Sequence, residues 1–332
     1  MRRHSPPRRG TFDTILTGKP RHGLPRQAAL LFATHVDEGG PVSEAADAVG
    51  VLAASWQSLV AAQGRLHDVR DRAHRNFDGG DAGHQWDHGL VVRHAVNYAV
   101  AVHLASTVRD PGPLIDVGAG AGGFSVWAAR ALDRALVIVD QDAGHRDLAA
   151  RAFPDVAVHA STAGLAPAPV VLAMEVIEHV RRERQPAFIA DVASLVHPGG
   201  VLVMSTPDES GYWGGWSGYP PHIATLDADA LGGLLHDQLP GWDVQVLRID
   251  GPGFSLSTLG RVGVPVANRL WGAVENGLPR VAHELSYRMN QLGRRRSDPG
   301  APDPGAFRVS AASSGSGTGL VAAARRPAAA TS

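Results

Sequence analysis

The chain has 332 residues, 44% hydrophobic and 19% charged, a composition of folded domains and not of disordered chain. Its formal net charge is −1, so no global field draws it to nucleic acid or to an anionic membrane, although a local basic patch is compatible with that balance. With no cysteine it can hold no disulfide, zinc–thiolate site or iron–sulfur cluster. Lys19 is the single lysine among 31 basic residues, and with abundant Ala, Gly and Val this suggests a high-GC bacterial coding bias. A cytoplasmic enzyme fits these numbers.

Residues 1–24, rich in Arg, Pro and Gly, are expected to be disordered. Positive charge there is followed by no apolar segment, so no secretory signal is expected, and no apolar run approaches the roughly 18 residues of a membrane span. Residues 25–109 read as a helical extension. AALLFATHV, SEAADAVGVLAASWQSLVAAQ and RLHDVRDRAHRNF place apolar residues three and four apart, with breaks at GGP (39–41) and DGGDAG (78–83). A long helix is predicted from Asp87, a plausible N-cap, to Val108; His84, Asp87 and His88 read as its start with an exposed histidine pair.

From 110 to 250 short apolar runs alternate with helical patterns. LIDV (114–117), ALVIVD (135–140), VAVH (156–159), VVLAME (170–175), VLVMST (201–206) and WDVQVLRI (242–249) read as strands. Helices fall between them, near 124–132, 144–153, 183–195 and 227–238. That alternation builds a mostly parallel α/β sheet. An insertion (251–305) with amphipathic helices follows, then a closing region (306–327) with the last strand, GLVAAARR (319–326), and a short tail (328–332).

The most informative segment is LIDVGAGAGGFSVW (114–127). An apolar strand runs into Gly118, Gly120, Gly122 and Gly123, and a helix begins at once. Glycines suit a turn of positive φ, or a ligand that must approach without meeting a Cβ. ALVIVD then ends in Asp140, where an acid can take ribose hydroxyls. A nicotinamide enzyme would show G-x-G-x-x-G without an acid inside the strand; here Asp116 precedes the glycines.

LIDVGAGAGG resembles motif I of the class I S-adenosylmethionine (SAM)-dependent methyltransferases. VVLAMEVIEHV, LVHPGGVLVMSTPD and TGLVAAARRP resemble that family's later strands. The resemblance implies a Rossmann-like, seven-stranded class I methyltransferase fold, with an N-terminal helical extension and an insertion before the last strand. It implies SAM as cofactor, with Asp116 beside the methionine portion and Gly118, Gly120 and Gly122 beneath the nucleoside. Asp140 would take the ribose, with Gln141 and Glu175 bordering the cofactor. The acid that many relatives place after the third strand is missing; Ser161 and Thr162 stand nearby.

EVIEH (175–179) sits where a parallel sheet binds ligands, and three readings stay open. His179 is a general base oriented by Glu178; or Glu175, Glu178, His179 and His222 hold Mg²⁺ or Mn²⁺; or the cluster merely caps a helix. The motif resembles those of ubiquinone-pathway O-methyltransferases and of small-RNA 2′-O-methyltransferases. GYWGGWSGYPPH (211–222) carries Tyr212, Trp213, Trp216 and Tyr219, either an aromatic lid or a packed loop. Arg294–Arg296 reads as a solvated helix end.

The expected activity is O-methylation of a small-molecule acceptor. An RNA 2′-O- or other macromolecular methyltransferase, and a non-catalytic SAM-binding protein, are the alternatives, with a NAD(P)-dependent reductase more distant. Neutral charge and the lack of an RNA-binding module disfavour nucleic acid.

Overall fold

A computed structural model describes residues 41–69, 88–252, 254, 257–282, 300–312 and 319–329. The expectations for residues 1–24, 27–40 and 70–87 (His84 and Asp87 included), for the Arg294–Arg296 run and for the last three residues lie outside the described residues.

Strand β1 (Leu114–Val117) pairs in parallel with β2 (Leu136–Val139) and with β4 (Ala168–Met174); β2 continues to β3 (Ala157–His159) and β4 to β5 (Val196–Pro207). Strand β8 (Gly319–Arg325) lies antiparallel between β5 and β6 (Asp243–Asp250). Strand β7 (Arg308–Ala311) joins the edge antiparallel to β6. The sheet order is β3-β2-β1-β4-β5-β8-β6-β7, eight strands where seven were expected. The additional strand is β7. Only Val309 of its four residues is buried, so it has too little apolar alternation to announce itself.

Alternate strand residues face opposite layers, as the period of two demands. Leu114, Ile138, Leu172 and Val203 enter one core with helices α1 (Pro41–Ala54), α2 (Trp56–Val69), α3 (His88–Ala105), α4 (Gly123–Ala131) and α5 (Ala143–Ala152). Ile115, Val171, Leu202 and Ala322 enter the other with α6 (Gln185–Ser194) and α7 (Ala228–Gln238). The described part of the expected N-terminal extension thus shares the core of the sheet. Trp127 Nε1 on α4 donates to Ser55 Oγ, between α1 and α2, at 3.0 Å.

Within the expected insertion, α8 (Thr258–Gly277) is capped by the Ser257 hydroxyl, which accepts from the Gly260 N–H at 3.0 Å. Among the described residues no helix is long and apolar enough to cross a membrane.

Candidate active site

The strand order reverses between β1 and β4, and the loops at the carboxyl ends of those strands meet there. On one side is the glycine turn. Gly118, Gly120 and Gly122 have φ of 76°, 58° and 83°. A Cβ on Gly118 would strike the Val176 side chain, so the turn needs glycine partly because the EVIEH segment packs on it. Asp140, buried at the end of β2, accepts from the Gly120 N–H (Oδ2, 2.8 Å) and from the Asp142 N–H (Oδ1, 2.8 Å). His145 Nδ1 stands 3.3 Å from the same Oδ1. Gln141 is exposed; its carbonyl accepts from Arg146. Ser161 is exposed and Thr162 half-buried.

Asp116 lies within β1. It is fully buried, and its Oδ2 accepts from Tyr98 Oη at 2.8 Å and Ser125 Oγ at 2.7 Å. It thereby ties α3 and α4 to β1 beneath the turn.

Glu175 begins the second half of the site, in a left-handed backbone conformation (φ 55°) unusual for a residue with a side chain. Arg93 Nη2 and Asn97 Nδ2 each donate to its carboxylate at 3.0 Å, and Ser205 Oγ at 2.9 Å. Both carboxylate oxygens therefore have protein donors.

The Glu178 carboxylate is different. It is fully buried; Thr206 Oγ1 donates to Oε2 at 3.0 Å, and Oε1 has no hydrogen-bond partner among the described residues. Burial first, and then the charge of Glu175, push this carboxyl well above the usual carboxylate range. Glu178, His179 and His222 offer ligand atoms that all lie within 4.8 Å of one another. The His179 and His222 rings meet edge-on at 5.1 Å.

Each histidine is oriented through Nδ1. That of His179 lies 3.0 Å from the Pro221 carbonyl, which can only accept, so Nδ1 carries a proton. That of His222 lies 2.6 Å from Glu209 Oε1. Burial of Glu209 would raise its pKa, but the hydrogen bonds and charge of His222 together with the donors of Ser217 hold it below the usual value. Carboxylate or carbonyl behind an imidazole is the arrangement that fixes a histidine as metal ligand or base.

The loop 211–222 behaves partly as a packed loop. Trp216 Nε1 donates to the His222 carbonyl at 2.9 Å, and the Tyr219 ring meets that of His222 edge-on at 4.9 Å. Burial raises the Tyr212 phenol, whose surroundings include Arg93 and Glu209. Trp213 is exposed.

Sequence reading singled out Asp116, the glycines, Asp140, Glu175, Glu178, His179 and His222, and all stand at this sheet edge. It overlooked Arg93, Asn97, Tyr98, Ser205, Thr206 and Glu209. For three of these a signal existed. In RHAVNY the polar residues 93, 94, 97 and 98 recur at helical spacing within an otherwise apolar helix, which puts them on one face.

With this geometry in place, the comparison with known proteins is direct. Residues 92–243 match the family model described as a methyltransferase domain. Those residues, just under half of the chain, are similar to that domain. The matched stretch starts inside α3, so it includes Arg93, Asn97 and Tyr98.

Among solved structures, a SAM-dependent methyltransferase from Archaeoglobus fulgidus aligns at 14% identity and TM-score 0.44, covering 70% of this chain and 94% of that one. The magnesium protoporphyrin IX methyltransferase from Synechocystis PCC 6803, with bound SAM, aligns at 17% identity and TM-score 0.38, covering 49% and 74%. No curated protein matched the sequence.

Proposed function

We propose that this protein is a SAM-dependent methyltransferase that methylates a hydroxyl oxygen of a small-molecule acceptor, activated at the Glu178–His179–His222 cluster. One observation carries the reading: Glu178 Oε1 is a fully buried carboxyl oxygen without a partner among the described residues, beside two histidines held by their Nδ1 atoms. A buried polar atom left unsatisfied is costly, and a divalent cation would satisfy it. The donor set, one carboxylate and two imidazole Nε2 atoms, suits Mn²⁺ better than the oxygen-preferring Mg²⁺. When bound, such an ion supplies Lewis acidity that eases loss of the acceptor's proton. Glu175, expected as a fourth ligand, is left out of the proposed set because Arg93, Asn97 and Ser205 occupy its carboxylate.

On the cofactor side, Asp140 is proposed to take the ribose hydroxyls and the glycine turn to lie under the nucleoside. Asp116 would act through the loop it braces. The acceptor would enter between Tyr212, the two histidines and α3.

His179 as general base is the second reading, favoured by the tautomer that the Pro221 carbonyl imposes. Labelled SAM incubated with host extract tests the whole proposal. Label in the small-molecule fraction is expected; label confined to RNA or protein overturns it, and no transfer at all would leave a SAM-binding protein. Turnover should fall on dialysis against chelator and return with Mn²⁺. If it persists, the cation is dropped and the base reading stands.

A further inference from the structure

Helix α8 turns an apolar face outward. Leu259, Val262, Val266, Leu270 and Val274 follow at spacings of three and four and so form one stripe. They are 85%, 49%, 44%, 65% and 38% exposed. The stripe is not the side that fastens the helix to the protein. On the inward side Asn268 Nδ2 donates to the Ser217 carbonyl at 3.0 Å, Pro265 abuts Gly218, and Gly272 abuts Pro220. A continuous exposed apolar face of this length marks an interaction surface.

Charge selects the occupant. Residues 257–282 hold three arginines against the single acidic residue Glu275, a surplus of two positive charges in a chain whose net charge is −1. Arg261, Arg269 and Arg280 are exposed, and the Arg269 guanidinium lies over the Trp216 and Trp213 rings at 5.6 and 6.0 Å. A second copy of the chain meeting this face would bring like charges together. An anionic bilayer would meet both features, because lipid headgroups take the arginines while the acyl boundary takes the stripe.

We propose that α8 is a docking helix for an anionic lipid surface. Trp213 is exposed and is joined to α8 by its N–H, which donates to the Arg261 carbonyl at 2.9 Å. This inference goes beyond the methyl-transfer reading and stands without it.

The test is sedimentation of the full chain with vesicles of phosphatidylcholine alone, or of equal parts phosphatidylcholine and phosphatidylglycerol, at low and high salt. The expected result is pelleting with the mixed vesicles, weaker with phosphatidylcholine alone and reduced by salt. The double variant Val266→Asp/Leu270→Asp should lose roughly tenfold or more of that binding. Its thermal unfolding and its calorimetric SAM binding should match those of the parent. No pelleting with mixed vesicles, or equal pelleting by the variant, overturns the proposal. So does a dimer that the variant dissociates in the absence of vesicle binding.

Discussion

Oδ2 of Asp140 accepts a hydrogen bond of 2.8 Å from the backbone N–H of Gly120, so the acid at the end of β2 and the glycine turn after β1 are one unit. Removing the carboxylate should loosen the turn and delete the proposed ribose acceptor together. Asp140→Ala is expected to weaken SAM binding about tenfold to a hundredfold, the worth of hydrogen bonds to a charged group. Calorimetric titration with SAM and with its demethylated product measures this, and an unchanged affinity would remove Asp140 from the binding site.

Gly118 and Val176 form a second such pair. A side chain at Gly118 meets two obstacles, the positive φ of 76° and the Val176 side chain. Gly118→Ala should cost on the order of 2 kcal/mol or more in unfolding free energy. Adding Val176→Ala should recover the part due to collision and leave the backbone strain. A double-mutant cycle by denaturant titration separates the two, and strict additivity would show that the side chains do not meet.

The Glu209–His222 contact predicts a change in metal affinity. Glu209→Gln keeps the shape but removes the charge that orients and polarises the imidazole. Mn²⁺ affinity should fall roughly 10–100-fold, as for other residues placed behind a ligating histidine. Calorimetry with Mn²⁺ alone, without acceptor, reads it directly, and equal affinity in the variant would place the cation elsewhere.

Stability should depend on pH through Glu178. Its folded pKa lies well above the ordinary 4.5, so in chelator the folded protein holds a proton that the unfolded chain has released. Folding then binds more protons than unfolding, and stability falls as pH rises above that ordinary value. Glu178→Gln lacks the titration. In chelator, thermal scans should show the parent losing ground to the variant from mildly acidic to mildly alkaline buffer. Mn²⁺ should restore the parent only. Parallel pH profiles for the two proteins would count against this account.

The parts of the site carried by contiguous sequence were legible before the structure. A strand, a glycine turn, a helix and Asp140 lie within 114–140, and local chemistry alone demands glycines and an acid there. EVIEH was legible as a cluster, but which of its acids is occupied was not. Glu175 is held by Arg93 and Asn97, 82 and 78 residues earlier in the chain, and no spacing rule reaches that far. Glu209 was hidden for a similar reason: its importance comes from touching His222, thirteen residues on across a loop. The edge strand β7 escaped because a four-residue strand with one buried side chain has no periodicity to detect. Helix α3 could have been read more closely, since its polar face repeats at 93, 94, 97 and 98.

The stretch after the aromatic loop is riveted to the catalytic turn. The N–H groups of Ile223 and Ala224 both donate to the Glu178 carbonyl, at 2.9 and 3.1 Å, and the Pro221 carbonyl holds His179. Displacing that end would break the hydrogen bonds that hold Glu178 and His179 in place. Conformational freedom in the loop therefore belongs to its other end, at Gly214 and Gly215, which have positive φ and open space around them.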